Sequence, residues 1–292
     1  MSVYNGAPDL PATLASLAAQ TERDFELIVI DDGSTDDTPR ILAAAAARDV
    51  RIRVIAQPNA GLTRALIRGC AAATAPIIAR HDAGDRSHPE RLARQLACFH
   101  DPQVVLAGTA VRVFGPAGEL LYSVRLDGDE VQRSLLHDDA AHLRGLPHHG
   151  SAMFRRDAYL AAGGYRAEFR VAQDVDLWVR MARLGRIAIV PDELYDATFH
   201  PRSISAVARG AQQRATKIII ALRDGADARA QLAAAARIRP RRGARRGEAA
   251  GLYFIARCLR AQRRAAARGY LLRALRRNPL HWRAWAALVT GR

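Results

Sequence analysis

FELIVIDDGSTDDT, residues 25–38, decides the architecture of this chain. Five of the first six residues are apolar, four of them (Leu27 to Ile30) in an unbroken run without the alternation of a half-exposed strand, as a strand covered on both faces has, and the run stops abruptly at two aspartates. Asp, Gly and Ser break the strand, Thr38 is placed to cap a following helix, and Pro39 suits its first turn. Upstream, Leu10, Leu14 and Leu17 in DLPATLASLAAQ (9–20) mark one face of a helix. Downstream come RILAAAAARD as a helix, IRVIAQ (52–57) as a strand, a turn at Pro58 to Gly61, a helix from about Leu62 to Ala73, and APIIAR (75–80) as a strand. Strand and helix in alternation predict an α/β fold with a mostly parallel, Rossmann-like sheet flanked by helices and right-handed crossovers.

Ligands bind such sheets beyond the carboxyl ends of the strands. The acids fall there: Asp31 and Asp32 close one strand, Asp82 and Asp85 another. Ser87 and Glu90 are spaced as a capping box for the helix PERLARQLACF. VVLAGTAVRVF (104–114) and ELLYSVRL (119–126) read as a strand pair around Gly115 to Gly118. From about Pro201 the pattern is helical, interrupted by a loop at RPRRGARRG (239–247).

Composition bounds the alternatives. The 292 residues are 49% apolar, enough for one large α/β unit and a smaller one, and no apolar run reaches the length of a membrane span or forms a signal peptide. The default compartment is therefore the cytoplasm. Cys70, Cys98 and Cys258 stand far apart with no CxxC pair, so small buried thiols are expected. The net charge of +15 is uneven: residues 1–199 carry 22 Arg and 26 acids, whereas residues 200–292 carry 21 Arg, one Lys and 3 acids. Such a tail is attracted to anionic lipid headgroups, nucleic acid or another polyanion, unless it is only a solvated helical face.

Several chemistries are open to these residues. Asp82 and Asp85 on a strand-end loop can hold a hard divalent cation, Mg²⁺ or Mn²⁺, or the D-A-G-D turn can simply satisfy its own amides. Asp31 and Asp32 can accept from a base or a ribose, or serve a turn and helix start. In VAQDVDLWVRM, Val175, Trp178 and Val179 form an apolar face with Asp174 and Asp176 on others, so one acid can act as a general base or stabilise the helix dipole. Of His81, His88, His137, His142, His148, His149 and His200, most read as polar loop residues. No GxGxxG and no GxxxxGK[ST] occurs, which removes the expected phosphate cradle of a dinucleotide oxidoreductase or a P-loop NTPase.

In order, these segments resemble the family-2 inverting glycosyltransferases with the GT-A fold, over roughly residues 1–205. SVYNG (2–6) is similar to the loop after the family's first strand, FELIVIDDGSTDDT to its uridine-binding strand and turn, and QPNAGLTRALIRG (57–69) to its N-x-G-L segment. IIARHDAGDRSHPERLARQ (77–95) resembles the metal-binding region and QDVDLWVRM (173–181) the catalytic-base helix, with GGYR (163–166) and HPRSIS (200–205) as further matches. The resemblance implies transfer from a nucleoside-diphosphate sugar, a UDP-sugar first of all, to a glycan or lipid-linked acceptor hydroxyl, with inversion, in cell-surface polysaccharide assembly. It assigns Asp174 as base, Asn5, Asp31, Asp32, Gly61, Arg64 and Asp82 to the nucleotide, Asp82 and Asp85 to the divalent cation, and Gly164, Tyr165 and Trp178 to the acceptor side. Gly84 stands where the family's D-x-D-D has its second acid, so either Asp82 and Asp85 suffice or the cation is held weakly. The family also has an apolar strand before the position of Ser2, which leads us to expect a start upstream of Met1.

The expected division is a catalytic unit at 1–205 and a basic helical region at 206–292. Within the latter, the spacing of Leu252, Ala256, Leu259, Tyr270, Ala274, Leu275, Pro279 and Trp285 resembles a single tetratricopeptide-like hairpin. One repeat cannot bury its own face, so it must pack on the catalytic unit, a second subunit or a membrane surface, with peripheral contact at the inner membrane face as one form. Two rival readings remain: a catalytically silent relative that binds nucleotide or carbohydrate, and a polyanion-binding module built on the Arg-rich tail. Nucleic acid is not the expected partner, because the aromatics of the tail are few and not interleaved with its basic residues.

Overall fold

A computed structural model of the chain describes residues 1–143, 145–203, 208–239 and 245–290. The elements follow in the order β1 (Ser2–Val3), α1 (Leu10–Ala18), β2 (Leu27–Asp31), α2 (Thr38–Ala46), β3 (Ile52–Ala56), α3 (Leu62–Ala72), β4 (Ile77–Ala79), β5 (Arg86–Ser87) and α4 (Arg91–Ala97). Then come β6 (Val104–Phe114), β7 (Leu120–Val124), α5 (Gly128–His137), β8 (Met153–Arg155), α6 (Arg156–Ala161), α7 (Gln173–Met181) and β9 (Arg186–Thr198). Among the described residues five helices follow: α8 (Arg209–Arg223), α9 (Ala228–Arg237), α10 (Arg245–Ala261), α11 (Ala266–Arg277) and α12 (Trp282–Thr290).

β2 is buried along its whole length, as its unbroken apolar run requires, and lies parallel to both β1 and β3. The expected α/β architecture is thus present, but its second half is mixed. β4, expected to extend the parallel sheet, instead pairs antiparallel with β8 in a sheet ordered β4-β8-β6-β9-β5, with β7 on β6. There only β6 and β9 run parallel. The 104–114 and 119–126 segments do form the expected antiparallel pair, β6 with β7.

The chain start also differs in detail from its reading as a loop. Ser2 and Val3 are strand, in register with Ile30 and Asp31, and the bridge from Ser2 to Asp82 joins this parallel sheet to the end of β4. Beside Met1 the two sheets are separated by an apolar cavity of about 170 Å³ bordered by Ile28, Leu66, Cys70, Ile78 and Leu92.

Three local expectations are corrected. Ser87 lies in β5 with its hydroxyl buried and without a partner, and α4 starts at Arg91 after Glu90, so no capping box forms. The strand pairing of Ser87 with Tyr195 fixes its backbone where a cap would have to turn. Thr38 is the first residue of α2 rather than its cap, and its hydroxyl accepts from Gly6 N–H at 2.9 Å. Of the cysteines only Cys70 is buried; Cys98 and Cys258 are half-exposed.

Two cores organise the tail. α8 and α9 place Ala211, Ala215, Ile219 and Ala235 against the large core that contains Leu135, Phe154, Leu177 and Trp178. The Arg223 guanidinium, 9% exposed, donates to the carbonyls of Leu135 (3.2 Å) and Asp138 (2.7 Å), which ties α8 to the end of α5. The α10–α11 hairpin buries Leu252, Ile255, Leu259, Tyr270 and Leu271 on Val111, Val113, Leu121 and Tyr195 of the second sheet. Its single helical pair therefore finds its missing neighbour within the chain. The loop expected at 239–247 is shortened, since Arg245 to Gly247 belong to α10 and residues 240–244 lie outside the described residues.

Candidate active site

The carboxyl ends of β1, β2 and β4 meet on one edge of the molecule, and the loops there do two different things. The nucleotide-side loops close on themselves. Asp32, buried at 2% exposure, accepts through Oδ1 from Gln57 Nε2 (2.6 Å) and Ala60 N–H (2.8 Å) and through Oδ2 from Gly61 N–H (2.8 Å). One carboxylate thus fixes the entire turn that leads into α3. Asp31, also buried, accepts from Ser34 N–H at 3.0 Å. Asn5 adopts φ 52 and accepts from Thr35 N–H at 2.8 Å, pulling the turn after β1 onto the turn after β2. A side chain held in the left-handed region is strained, which the Asn side chain offsets by local hydrogen bonding. Arg64 projects exposed from the first turn of α3.

The second group of loops is denser and charged. His81, Asp82, Ala83, Gly84 and Asp85 leave β4 in a tight turn, with Asp85 N–H donating to Asp82 C=O at 3.3 Å. Gly84 has φ +103, a conformation in which an acidic side chain would be strained, so the departure from D-x-D-D follows from the path of this turn. Thr13 of α1 pins the turn from outside, accepting from Gly84 N–H (3.0 Å) and donating to Asp85 C=O (2.8 Å). From β9, Tyr195 OH donates to Asp85 Oδ2 (2.9 Å) and accepts from Asp82 N–H (3.1 Å), while Thr198 N–H donates to Asp85 Oδ1 (2.8 Å).

Residues 148–151 supply what the sequence reading passed over. His148 brings a ring nitrogen to Asp82 and Asp85, and one ligand atom from each of the three lies within 4.8 Å of the others. His148 Nδ1 is buried without a hydrogen-bond partner. Two carboxylates and a neutral imidazole suit Mn²⁺ well and Mg²⁺ acceptably, because the donors are mostly hard oxygens with one borderline nitrogen. Burial lowers the His148 imidazole pKa, which keeps the ring neutral as a ligand must be. The residues present therefore fit a divalent cation. Gly150 is required beside them: a Cβ there would stand 2.2 Å from Tyr195 OH and 2.9 Å from Asp82 Oδ2.

Charge balance explains the rest of this shell. Arg80, 3% exposed, forms an ion pair with Asp82 and donates to His81 C=O at 2.9 Å. Burial acts to raise the Asp82 pKa, but the buried guanidinium of Arg80, ion-paired with it, outweighs that and holds the carboxyl well below the usual range. Asp85 goes the other way: burial and then the neighbouring Asp82 charge push it up. Like charges this close cannot both ionise freely, and a bound cation would relieve the second of them. Arg91, 1% exposed, braces the two loops from below by donating to Arg80 C=O (2.9 Å) and Gly150 C=O (3.1 Å). The bland reading of the histidines is thus corrected for three of them, because His81, His148 and His149 all pack into this shell.

Asp174 and Asp176 separate cleanly. Asp176 is 2% exposed and held between Arg166 (3.2 Å) and Arg180 (2.5 Å), so it is a structural ion-pair centre and not a free base. Asp174 sits in the first turn of α7, half-buried, with its pKa raised by burial and by the charge of Asp82. The residue before α7, Ala172 at its cap position, has φ 56, a strained non-glycine conformation two residues before Asp174.

The three residues expected on the acceptor side pack behind this edge and do not open onto it. Trp178 is 0% exposed, edge-on to Phe154 and His149, with its indole N–H unpartnered. Tyr165, also buried, shares a 2.8 Å hydrogen bond with His149 Nε2, and Gly164 lies against the ring of Tyr159. They set the positions of His149 and α7 from within the core. His200 of HPRSIS faces Asp9 at 3.7 Å, whereas Ile204 and Ser205 lie outside the described residues.

Comparison with known proteins bears on the family and the fold. The family model described as "Glycosyl transferase family 2" matches residues 1–161. The putative glycosyltransferase EpsE of Bacillus subtilis is 33% identical over 191 residues, 63% of this chain and 66% of that protein. The amylovoran biosynthesis glycosyltransferase AmsE of Erwinia amylovora is 30% identical over 200 residues, 66% of this chain and 73% of its own length. Among solved structures, a mannosyltransferase from Pyrobaculum calidifontis in complex with GDP-Man and Mn²⁺ superposes with TM-score 0.59 at 21% identity, covering 97% of this chain and 81% of that one. S. aureus TarS 1–349 in complex with UDP gives 0.57 at 18% identity, covering 93% and 73%. At these identities the structural likeness concerns the fold, which is GT-A.

Proposed function

Because the chain belongs to glycosyl transferase family 2, we propose that it transfers a sugar from a nucleoside-diphosphate sugar to an acceptor hydroxyl with inversion, Asp174 acting as the base. The observation that carries the reading is the convergence of Asp82, Asp85 and His148 at the strand ends, on the same edge as Asp174, a carboxyl of raised pKa that pairs with no arginine among the described residues. Asp174 takes the proton of the acceptor hydroxyl as that oxygen forms its bond to the anomeric carbon. The bond from that carbon to the diphosphate oxygen breaks on the opposite face, so configuration inverts. A raised pKa brings a carboxylate closer to the operating pH and makes it a better proton acceptor, a contribution on the order of 10²–10⁴ in rate.

Asp82, Asp85 and His148 would hold a divalent cation, Mn²⁺ or Mg²⁺, whose chemistry is to offset charge on the departing diphosphate. Asp31, Arg64 and the turn fixed by Asp32 and Asn5 would receive the nucleoside, a uridine first of all. The carboxylate of Asp32 acts by shaping the Gly61 turn, since its oxygens already carry three donors. By analogy with the amylovoran biosynthesis relative, the acceptor is a growing glycan, free or lipid-linked. Residues 1–205 carry the chemistry in this reading and the helices beyond them cover it.

Screening nucleotide sugars with Mn²⁺ or Mg²⁺ for release of nucleoside diphosphate tests the proposal. Metal-dependent release from at least one donor is expected. No release from any donor, with the protein folded and metal bound, would overturn it.

A further inference from the structure

The C-terminal helix α12 is apolar on two opposite faces, and only one of them is used by the fold. Ala284 and Ala287 are buried and Leu288 packs against the hairpin core, which accounts for one side. Trp282, Trp285, Ala286 and Val289 fall within one turn-to-turn stripe on the other side at helical spacing, and this side faces outward. Trp282 is 68% exposed, Trp285 52% and Val289 83%, and Leu280, in the turn that leads into the helix, is 83% exposed. A helix apolar all round is normally buried all round. The turn is held in shape, because Trp285 Nε1 donates to Pro279 C=O at 2.8 Å.

The charge around this patch selects what it meets. Nine arginines and one acid lie between residues 248 and 290. Arg276 and Arg277 end α11 three residues before the patch, and the Arg283 guanidinium stands 5.2 Å over the Trp282 ring. The single acid, Glu248, is already paired with Arg277 and Arg202. A second copy would bring the same positive charge and be repelled. A nucleic acid would meet the charge but gain nothing from Leu280 and Val289, which have no ring to stack. An anionic phospholipid surface satisfies both features: indoles settle at the headgroup level, aliphatic side chains enter the acyl boundary, and arginines reach the phosphates. Among the described residues no helix is long and apolar enough to cross a membrane, so the contact is one of lying on the surface.

We propose that Leu280, Trp282, Trp285 and Val289, with Arg276, Arg277 and Arg283 around them, dock the chain on an anionic lipid bilayer. This goes beyond the transfer reaction and does not depend on it.

The test is flotation of the full chain with vesicles of neutral phosphatidylcholine alone or with about one third phosphatidylglycerol, the anionic headgroup supplying the surface potential. Flotation only with the anionic vesicles is expected, with a blue shift of tryptophan emission and loss of binding as salt rises. Leu280→Ser/Trp282→Ser/Val289→Ser changes only exposed side chains, so its circular dichroism should match wild type while its vesicle affinity falls more than about tenfold. Arg276→Glu/Arg283→Glu should weaken binding by a comparable factor. Equal flotation of the serine variant and wild type, or no flotation of wild type, overturns the proposal. So does a wild-type dimer that the serine variant dissociates, which would assign the face to a second copy, or capture by a single-stranded oligonucleotide that requires the same three apolar residues.

Discussion

The two halves of the candidate site are built from similar residues, strand-end aspartates in tight turns, yet they treat polar groups in opposite ways. On the nucleotide side Asp32, Asn5 and Asp36 spend their oxygens on backbone N–H groups of the neighbouring turns, Asp32 on Ala60 and Gly61, Asn5 on Thr35 and Asp36 on Ala7. On the cation side the ligand atoms of Asp82, Asp85 and His148 converge, and His81 Nε2, His148 Nδ1 and Arg91 Nε are buried without partners. A buried polar atom left unpaired is costly, so it is retained where something else will use it or where charge must be focused. The first half is a frame. The second is a receptacle, and its two carboxyl groups have been driven apart in pKa by an arginine on one side and burial on the other.

If that distinction is right, substitutions in the receptacle should cost function and those in the frame should cost stability. The largest effect is expected from Asp82→Asn, which removes both a cation ligand and the partner of buried Arg80. Turnover should fall by more than about 10²-fold, the scale of losing the charge stabilisation a metal supplies, while chelation of wild type should do the same. A turnover assay at saturating metal checks it. Gly150→Ala comes next, since its Cβ collides with Tyr195 OH and Asp82. A loss of about 1–3 kcal/mol in denaturant unfolding is expected from such overpacking, together with weaker metal binding. Tyr195→Phe leaves Asp85 without one donor and Asp82 N–H without its acceptor, and should weaken Mn²⁺ binding by about 10–100-fold in calorimetry, at a stability cost of about 1–3 kcal/mol. The smallest effect on the chemistry is expected in the frame: Asp32→Ala strands three donors and should cost about 1–3 kcal/mol of stability while leaving Mn²⁺ affinity unchanged. Equal metal loss in Asp32→Ala and Tyr195→Phe would erase the distinction.

What the sequence revealed follows the same line. Asp31, Asp32, Asp82 and Asp85 were legible because each ends an apolar run, and a buried strand leading to an acid is a local signal. Asp174 was legible only through the family pattern, since its environment is set by Ala172 and by the neighbouring loop at Asp82. Arg80, Arg91, His148, His149 and Tyr195 were not legible as site residues. They reach the site through pairings of β4 with β8 and β5 with β9, between segments dozens of residues apart, and nothing in the local sequence announces an antiparallel partner. The run P-H-H-G-S ahead of β8 was the available hint, because a glycine beside two histidines implies close approach of another chain segment. Trp178 shows the converse. The family resemblance puts it on the acceptor side, but three-dimensional packing buries it completely in the core.

The rate of transfer by wild type and by Asp174→Asn, measured across pH at saturating donor, acceptor and Mn²⁺, tests the central claim most directly. Asp174 must be ionised to accept a proton, and its pKa is raised, so wild-type turnover should fall as pH drops through a value above the ordinary carboxylate range. The variant should bind donor as wild type does, turn over about 10²–10⁴-fold more slowly, and lack that acidic limb. Equal turnover, or an unchanged acidic limb in Asp174→Asn, would contradict the account.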